Sequence, residues 1–223
     1  MSDLTFSVIS EDLLTALWQT FIMLSISLGL SILIGVPLGF LLFLTRRGML
    51  VENRFLNILG GLVVNFVRSL PFVILLILVL PLSKIVTGHT TGPIAAAVPL
   101  TIASIAVFAR IVEVTLCGVD KGVIEAANAM GASNGLIIKE VLLPESLSGH
   151  IRGFTITTIT LIGDSAMAGV VGGGGIGFLA INYGYYRYET GVLIVTVILL
   201  IMLVQAVQYT GDWSADHLEK RRK

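Results

Sequence analysis

Long uncharged segments constrain the fold of this chain more than any other feature. Residues 13–45 contain no charged side chain, although a helix needs only about 20 residues to cross a bilayer. Segments of comparable apolarity recur along the rest of the chain. They lie near 13–45, 55–82, 92–117, 147–173 and 190–211. The sequence therefore predicts an all-α, polytopic membrane protein with five transmembrane helices.

Composition leaves little room for anything besides this membrane domain. Hydrophobic residues make up 55% of the 223 positions and charged residues only 13%. We therefore expect residues 1–223 to form a single transmembrane domain, so that any nucleotide-binding or catalytic domain belongs to another chain. The one cysteine, Cys117, excludes an internal disulfide and a cysteine-cluster metal site.

The distribution of basic residues predicts the orientation. With the C-terminus inside, eleven lysines and arginines fall in cytoplasmic segments, whereas only Lys84 and Arg187 fall outside. Because lysine and arginine concentrate on the cytoplasmic side, this topology is strongly favoured. It places the N-terminus outside, the C-terminus in the cytoplasm, and residues 120–146 in a cytoplasmic loop.

The loop itself has the residues of a helix–turn–helix. Asp120 is suited to cap a first short helix, and Gly131 to end it in a left-handed conformation. Ser133 or Asn134 then caps a second short helix, which we expect Pro144 to stop. Helix chemistry alone leaves two interpretations open: an interfacial hairpin that packs on its own protein, or a docking segment for a partner.

A resemblance between this loop and a loop of known proteins favours the second interpretation, a docking segment for a partner. The spacing of this loop is similar to the cytoplasmic signature loop of the membrane subunits of bacterial ABC importers. The matching positions are Glu125, Ala126, Ala127, Gly131, Val141, Leu143 and Pro144. Val141 stands where isoleucine is usual. The resemblance implies that this coupling loop docks on a cytoplasmic ATP-hydrolysing subunit.

Two further stretches narrow the resemblance. Residues 68–76, RSLPFVILL, contain an Arg-x-x-Pro element, and residues 160–188 contain a Ser-Ala-Met-Ala-Gly core, a glycine run and a tyrosine cluster. Together with the loop they resemble the permease subunits of methionine ABC importers. Asp164 is a departure, because an aromatic residue is usual there.

This resemblance implies a function and a set of partners. The expected function is the import of methionine or a related amino acid across the bacterial inner membrane, by a non-catalytic homodimer embedded in membrane lipid. The expected partners are an ABC ATPase dimer, which binds ATP and Mg²⁺, and a periplasmic or lipid-anchored substrate-binding protein. No cofactor on this chain and no nucleic acid are implied.

Two charged residues lie deep inside the apolar spans, well away from their ends. Arg68 and Asp164 fall at similar predicted depth, and charges at that depth usually face a protein interior or a wet cavity. They either form a buried pair that sets helix packing or line the translocation path. Met167, between the small residues Ser165 and Gly169, is suited to an outer gate or to ordinary packing.

Glycine spacing and the remaining polar residues complete the prediction. Gly169 and Gly173 lie four residues apart, which permits close contact between two copies. The run 172–177, GGGGIG, lacks the strand and acid of a dinucleotide site, and the three histidines fall in separate segments, so no metal site is predicted. Two alternatives remain: an ABC permease for another small solute, and an ATP-independent transporter or channel.

Overall fold

The computed structural model describes residues 12–220, and within them the chain is helical, with no β-strand. The helices in chain order are α1 (Leu13–Leu44), α2 (Arg54–Ser69), α3 (Phe72–Thr87), α4 (Pro93–Cys117), α5 (Lys121–Ala129), α6 (Asn134–Val170), α7 (Gly175–Tyr185) and α8 (Thr190–Lys220). One wider π turn interrupts each of α1, α6 and α7, at Ser31–Gly35, Ile138–Leu142 and Ala180–Tyr185. The all-α prediction is confirmed.

Several of these helices are long and apolar enough to cross a membrane. Among the described residues, α1, α4 and α8 meet that criterion alone, and the pairs α2–α3 and α6–α7 meet it together. The first pair bends by 110° and the second by 46°. By length and composition, residues 12–220 therefore contain between three and five candidate spans, and the number five stays a prediction.

The segment near 55–82, expected to be one span, is bent at Pro71. The residue before it, Leu70, is extended, with φ −86° and ψ 131°. A residue that precedes proline is disfavoured in the helical region, because the proline ring collides with its backbone. Helix α2 therefore ends at Ser69, and α3 starts in a new direction at Phe72.

Helix α4 is the centre of the bundle. In the most apolar stretch of α4, 56% of the residues are buried inside the bundle, whereas in the corresponding stretch of α8 only 11% are buried. Hydroxyl groups join α4 to α1: Ser27 donates to the Ala97 carbonyl at 3.3 Å, and Ser104 donates to the Ser27 carbonyl at 3.3 Å. Small side chains of this kind let two membrane helices approach closely while they satisfy each other's polar groups.

The two largest buried clusters of the described residues lie at different places along the bundle. The first surrounds Met23, Leu100 and Leu161 and joins α1, α4 and α6. The second joins the ends of α1 and α4 to the 120–146 loop, through Phe43, Val112, Leu116, Ile124, Ile137 and Leu142. Because the loop shares a core with these two helices, its movement is mechanically linked to theirs.

Candidate functional site

Helix α5 begins and ends as its sequence predicts. The Asp120 carboxylate accepts a hydrogen bond from the Gly122 backbone nitrogen at 2.8 Å, and Gly131 has φ +81°. Gly131 donates from its nitrogen to the Asn128 carbonyl, and Ala132 donates to the Ala127 carbonyl. These two bonds form a Schellman motif, which requires a left-handed residue at the glycine position.

The second half of the loop differs from the prediction at its end. Ser133 caps it by accepting from the Leu136 nitrogen at 3.3 Å, as expected. Pro144, however, does not stop the helix, which runs on to Val170. Pro144 follows the π turn Ile138–Leu142 and lies in the first turn of the regular helix after it. Proline is tolerated at that position, because the missing N–H has no regular helical partner there.

The signature residues of the loop divide into exposed and buried positions. Glu125, Ala126, Leu143 and Pro144 are exposed, Val141 is half-buried, and Ala127 is buried. The exposed surface of the loop also carries apolar side chains. Met130 is 82% exposed, Leu136 50% and Val123 44%. Exposed apolar side chains are typical of a docking surface when they form a continuous patch, and such a role for this loop stays a prediction.

The other end of α6 carries the residues predicted to form the gate. The helix ends at Val170, and the chain turns through glycines with positive φ at 172, 174 and 175 before α7 begins. Helices α6 and α7 are closely packed: a Cβ on Gly169 would contact the Phe178 nitrogen and lie 2.8 Å from the Gly177 carbonyl carbon. Gly169 is therefore required for contact within one chain.

Gly173 has the same kind of environment. A Cβ there would lie 2.7 Å from the Ala168 carbonyl oxygen and 2.9 Å from the Ala96 Cβ. The sequence favoured contact between two copies at this glycine pair, whereas the chain itself occupies the space beside both residues. The reason is that the start of α7, which follows the glycine run, packs against the end of α6.

The predicted gate residues have different environments. Ser165 is buried and donates to the Ile162 carbonyl at 2.8 Å. Met167, two residues further on, is 47% exposed. Its side chain therefore lies largely outside the packed interior of the chain, where a second subunit or a solute can contact it. The role of Met167 as a plug stays a prediction.

Arg68 and Asp164 line one cavity of about 250 Å³ between α2, α3, α4 and α6. Arg68, in the last turn of α2, is exposed, and Asp164 is half-buried. Within residues 12–220 the two side chains form no ion pair within 4.0 Å. A direct pair is therefore not formed in this conformation, and coupling through water in the shared cavity stays a prediction.

Two polar side chains of α1 contact the gate, and sequence analysis missed both. Gln19 accepts a hydrogen bond from the Gly175 nitrogen at 2.8 Å, and Thr20 accepts one from the Ile176 nitrogen at 3.0 Å. They satisfy the free N–H groups at the start of α7, which has no side-chain cap of its own. In the sequence, Gln19 and Thr20 are simply polar residues within a long apolar run, and nothing near them indicates which groups they contact.

Sequence analysis also missed a partly buried ionic contact between Arg110 and Glu113. Arg110 donates to Glu113 at 2.6 Å and to the Asn65 side-chain oxygen at 2.6 Å, so it joins α4 to α2. Elsewhere in the described chain, no group of three His, Cys, Asp or Glu side chains is placed to hold a metal ion. Arg110 and its partners thus connect two helices of the bundle.

Comparison with known proteins identifies the family of this chain. Residues 31–223 match the family described as binding-protein-dependent transport system inner membrane component. The chain belongs to this family. It is 46% identical over 207 residues to a probable D-methionine transport system permease protein, MetI, of Vibrio cholerae, covering 93% of this chain and 92% of that one.

Two further comparisons extend the likeness to a Gram-positive relative and to a solved structure. The methionine import system permease protein MetP of Bacillus subtilis is 45% identical over 181 residues, covering 81% of this chain and 82% of that one. A chain in an inward-facing structure of the MetNI methionine ABC transporter superimposes with a TM-score of 0.92 at 38% identity, over 98% of this chain and 99% of that one. As a member of this family, the present chain is thus a membrane subunit of an ABC importer.

Proposed function

We propose that this chain is the transmembrane permease subunit of an ATP-driven importer of methionine or a related amino acid. The observation that carries the proposal is the agreement, over 93% of the chain, with permeases named for methionine transport. The chain is a non-catalytic subunit, since its family supplies the inner membrane component of such systems. Its place is the bacterial inner membrane.

The partners follow from the two ends of the molecule. The exposed face of α5, with Glu125, Ala126 and Met130, is proposed to dock on a cytoplasmic ATPase dimer that binds ATP and Mg²⁺. The glycine turn at 171–174 and the tyrosines that follow α7 are proposed to meet a substrate-binding protein outside. A second copy of this chain is proposed to complete the pathway beside Met167.

One helix joins the two proposed functional regions. After the π turn in the loop, the regular part of α6 runs 28 residues from Leu143 to Val170, roughly 42 Å at the helical rise. Its start lies in the coupling loop and its end at the glycine turn. Displacement of α5 by the ATPase therefore reaches the gate through this helix and through the core that α5 shares with α1 and α4.

The direction of coupling follows from thermodynamics. A partner shifts the equilibrium between inward-open and outward-open forms only by the difference in its binding free energy for the two. We propose that nucleotide-bound ATPase and loaded binding protein favour the same outward-open form. The N-terminus outside and the C-terminus in the cytoplasm are part of this proposal.

The experiment is reconstitution of the chain with its ATPase and binding protein in proteoliposomes. Uptake of L- and D-methionine and of a panel of other amino acids is measured with and without ATP. We expect ATP-dependent accumulation of methionine in preference to the other amino acids. Accumulation of a different solute would identify another substrate, and uptake unaffected by ATP would indicate a channel or secondary transporter.

A further inference from the structure

A basic cavity lies at the predicted cytoplasmic ends of α1 and α4. It has a volume of about 290 Å³, and Arg46, Arg47 and Lys121 line it together with apolar residues that include Phe43 and Ile124. No acidic residue is among its lining residues. A cavity with cations on one side and apolar walls on the other is suited to an anion that carries a hydrocarbon part.

The positive charges of this cavity are not paired with a carboxylate within the part of the chain that the structure describes. Among residues 12–220, none of the three basic side chains forms an ion pair within 4.0 Å, whereas Arg110 and Arg152 do. Arg46 is held at the cavity wall by its Nη1, which lies 2.6 Å from the Cys117 sulfur. Because guanidinium and ammonium groups bind phosphate oxygens by charge-assisted hydrogen bonds, the missing partner is an anion.

Position favours a lipid over a soluble anion or a protein carboxylate. The cavity lies where α1 and α4 end, at Leu44 and Cys117, which is the level expected for phospholipid headgroups. Val114, one turn before Cys117 on the same helix face, is 62% exposed and offers an apolar surface for an acyl chain. Ile124 is on the buried face of α5, and a neighbouring cavity that shares Arg47 and Lys121 is lined by the exposed Glu125, which forms no ion pair with either within 4.0 Å.

We propose that this cavity binds the headgroup phosphate of one anionic phospholipid of the cytoplasmic leaflet per chain. Arg46, Arg47 and Lys121 hold the phosphate, and the acyl chains lie beside Val114. The bound lipid joins the end of α1 to the start of α5, so it stabilises the coupling loop against the membrane. The orientation of the cavity rests on the proposed function.

The test measures lipid retention directly. The complex with its ATPase is placed in nanodiscs of equal phosphatidylglycerol and phosphatidylcholine, and the phosphatidylglycerol retained per permease chain is counted by native mass spectrometry. Each basic side chain near an anionic lipid contributes about 1 kcal/mol. We therefore expect Arg46→Gln combined with Lys121→Gln to weaken retention about 30-fold.

Two controls separate the site from general charge and from misfolding. Lys139→Gln with Lys220→Gln removes the same charge from the same predicted side of the membrane, outside the cavity, and should retain the lipid. Arg46→Lys with Lys121→Arg keeps the charges and should retain it as well. Equal retention in the two glutamine double variants would overturn the proposal.

Two other outcomes bear on the occupant, and two more separate this proposal from the proposed function. Displacement of the lipid by millimolar inorganic phosphate would mark the cavity as a soluble-anion site and overturn the lipid assignment. Lipid that binds only after the ATPase is removed would mark an acidic protein segment as the occupant. Loss of lipid retention with methionine uptake intact overturns nothing in the proposed function, and absence of methionine uptake in the unaltered complex leaves the lipid count unaffected.

Discussion

Replacement of Gly131 by alanine tests the coupling loop with the least disturbance. A Cβ at this position would meet no atom within 4 Å, so packing contributes nothing to the effect. The whole effect comes from the backbone, because Gly131 has φ +81° and a side chain in the left-handed region costs about 1–2 kcal/mol. The Schellman motif that ends α5 is destabilised by this amount.

The expected consequence is weaker association with the ATPase. If docking requires the native turn, a penalty of about 1–2 kcal/mol weakens association roughly 5- to 30-fold. The assay is the affinity of the detergent-solubilised permease for its ATPase, measured alongside uptake in proteoliposomes. Insertion and the amount of folded permease should not change, since Gly131 is exposed.

A matched control lies four residues away. Gly135 also has open space around its Cβ position, but it lies in the helix and has no positive φ. Gly135→Ala should therefore leave association unchanged or strengthen it slightly, because alanine favours a helix by up to about 1 kcal/mol. Equal losses in the two variants, or none in either, would refute the backbone argument.

Three further predictions concern the gate. Gly169→Ala should reduce uptake and thermal stability, by about 1–3 kcal/mol of overpacking against the α7 backbone, whereas Gly163→Ala, which has open space, should do neither. Met167→Ala should raise ATPase activity in the absence of binding protein, and an unchanged basal rate would leave Met167 a packing residue. Asp164→Asn and Arg68→Gln, measured singly and together by uptake, should be non-additive if water in their shared cavity couples them, and additive effects would show the charges to be independent.

Local chemistry explains which features the sequence could predict. The cap at Asp120 and the turn at Gly131 depend on neighbours within a few residues, and both appear where expected. The charge distribution and the apolar segments likewise depend only on composition along the chain. These signals predicted the helical fold and the structure of α5.

Tertiary contacts explain what the sequence could not predict. Two prolines have different effects. The helix α2 ends before Pro71, whereas Pro144 lies in the first turn of the regular part of α6, after a π turn, and the helix continues through it. The caps from Gln19 and Thr20 join residues 156 positions apart. The pattern of residues within one segment gives no information about hydrogen-bond partners that lie so far away in the sequence.

The most direct test of the central claim is the ATP dependence of methionine accumulation with Glu125 altered. Glu125 is exposed on α5 and is proposed to face the ATPase, so Glu125→Lys should insert and fold normally. Initial uptake is measured in proteoliposomes that contain the complete complex, with and without ATP. We predict ATP-dependent accumulation by the unaltered complex and its loss in the Glu125→Lys complex. Accumulation that continues at the same rate without ATP, or that Glu125→Lys leaves unchanged, would contradict the account.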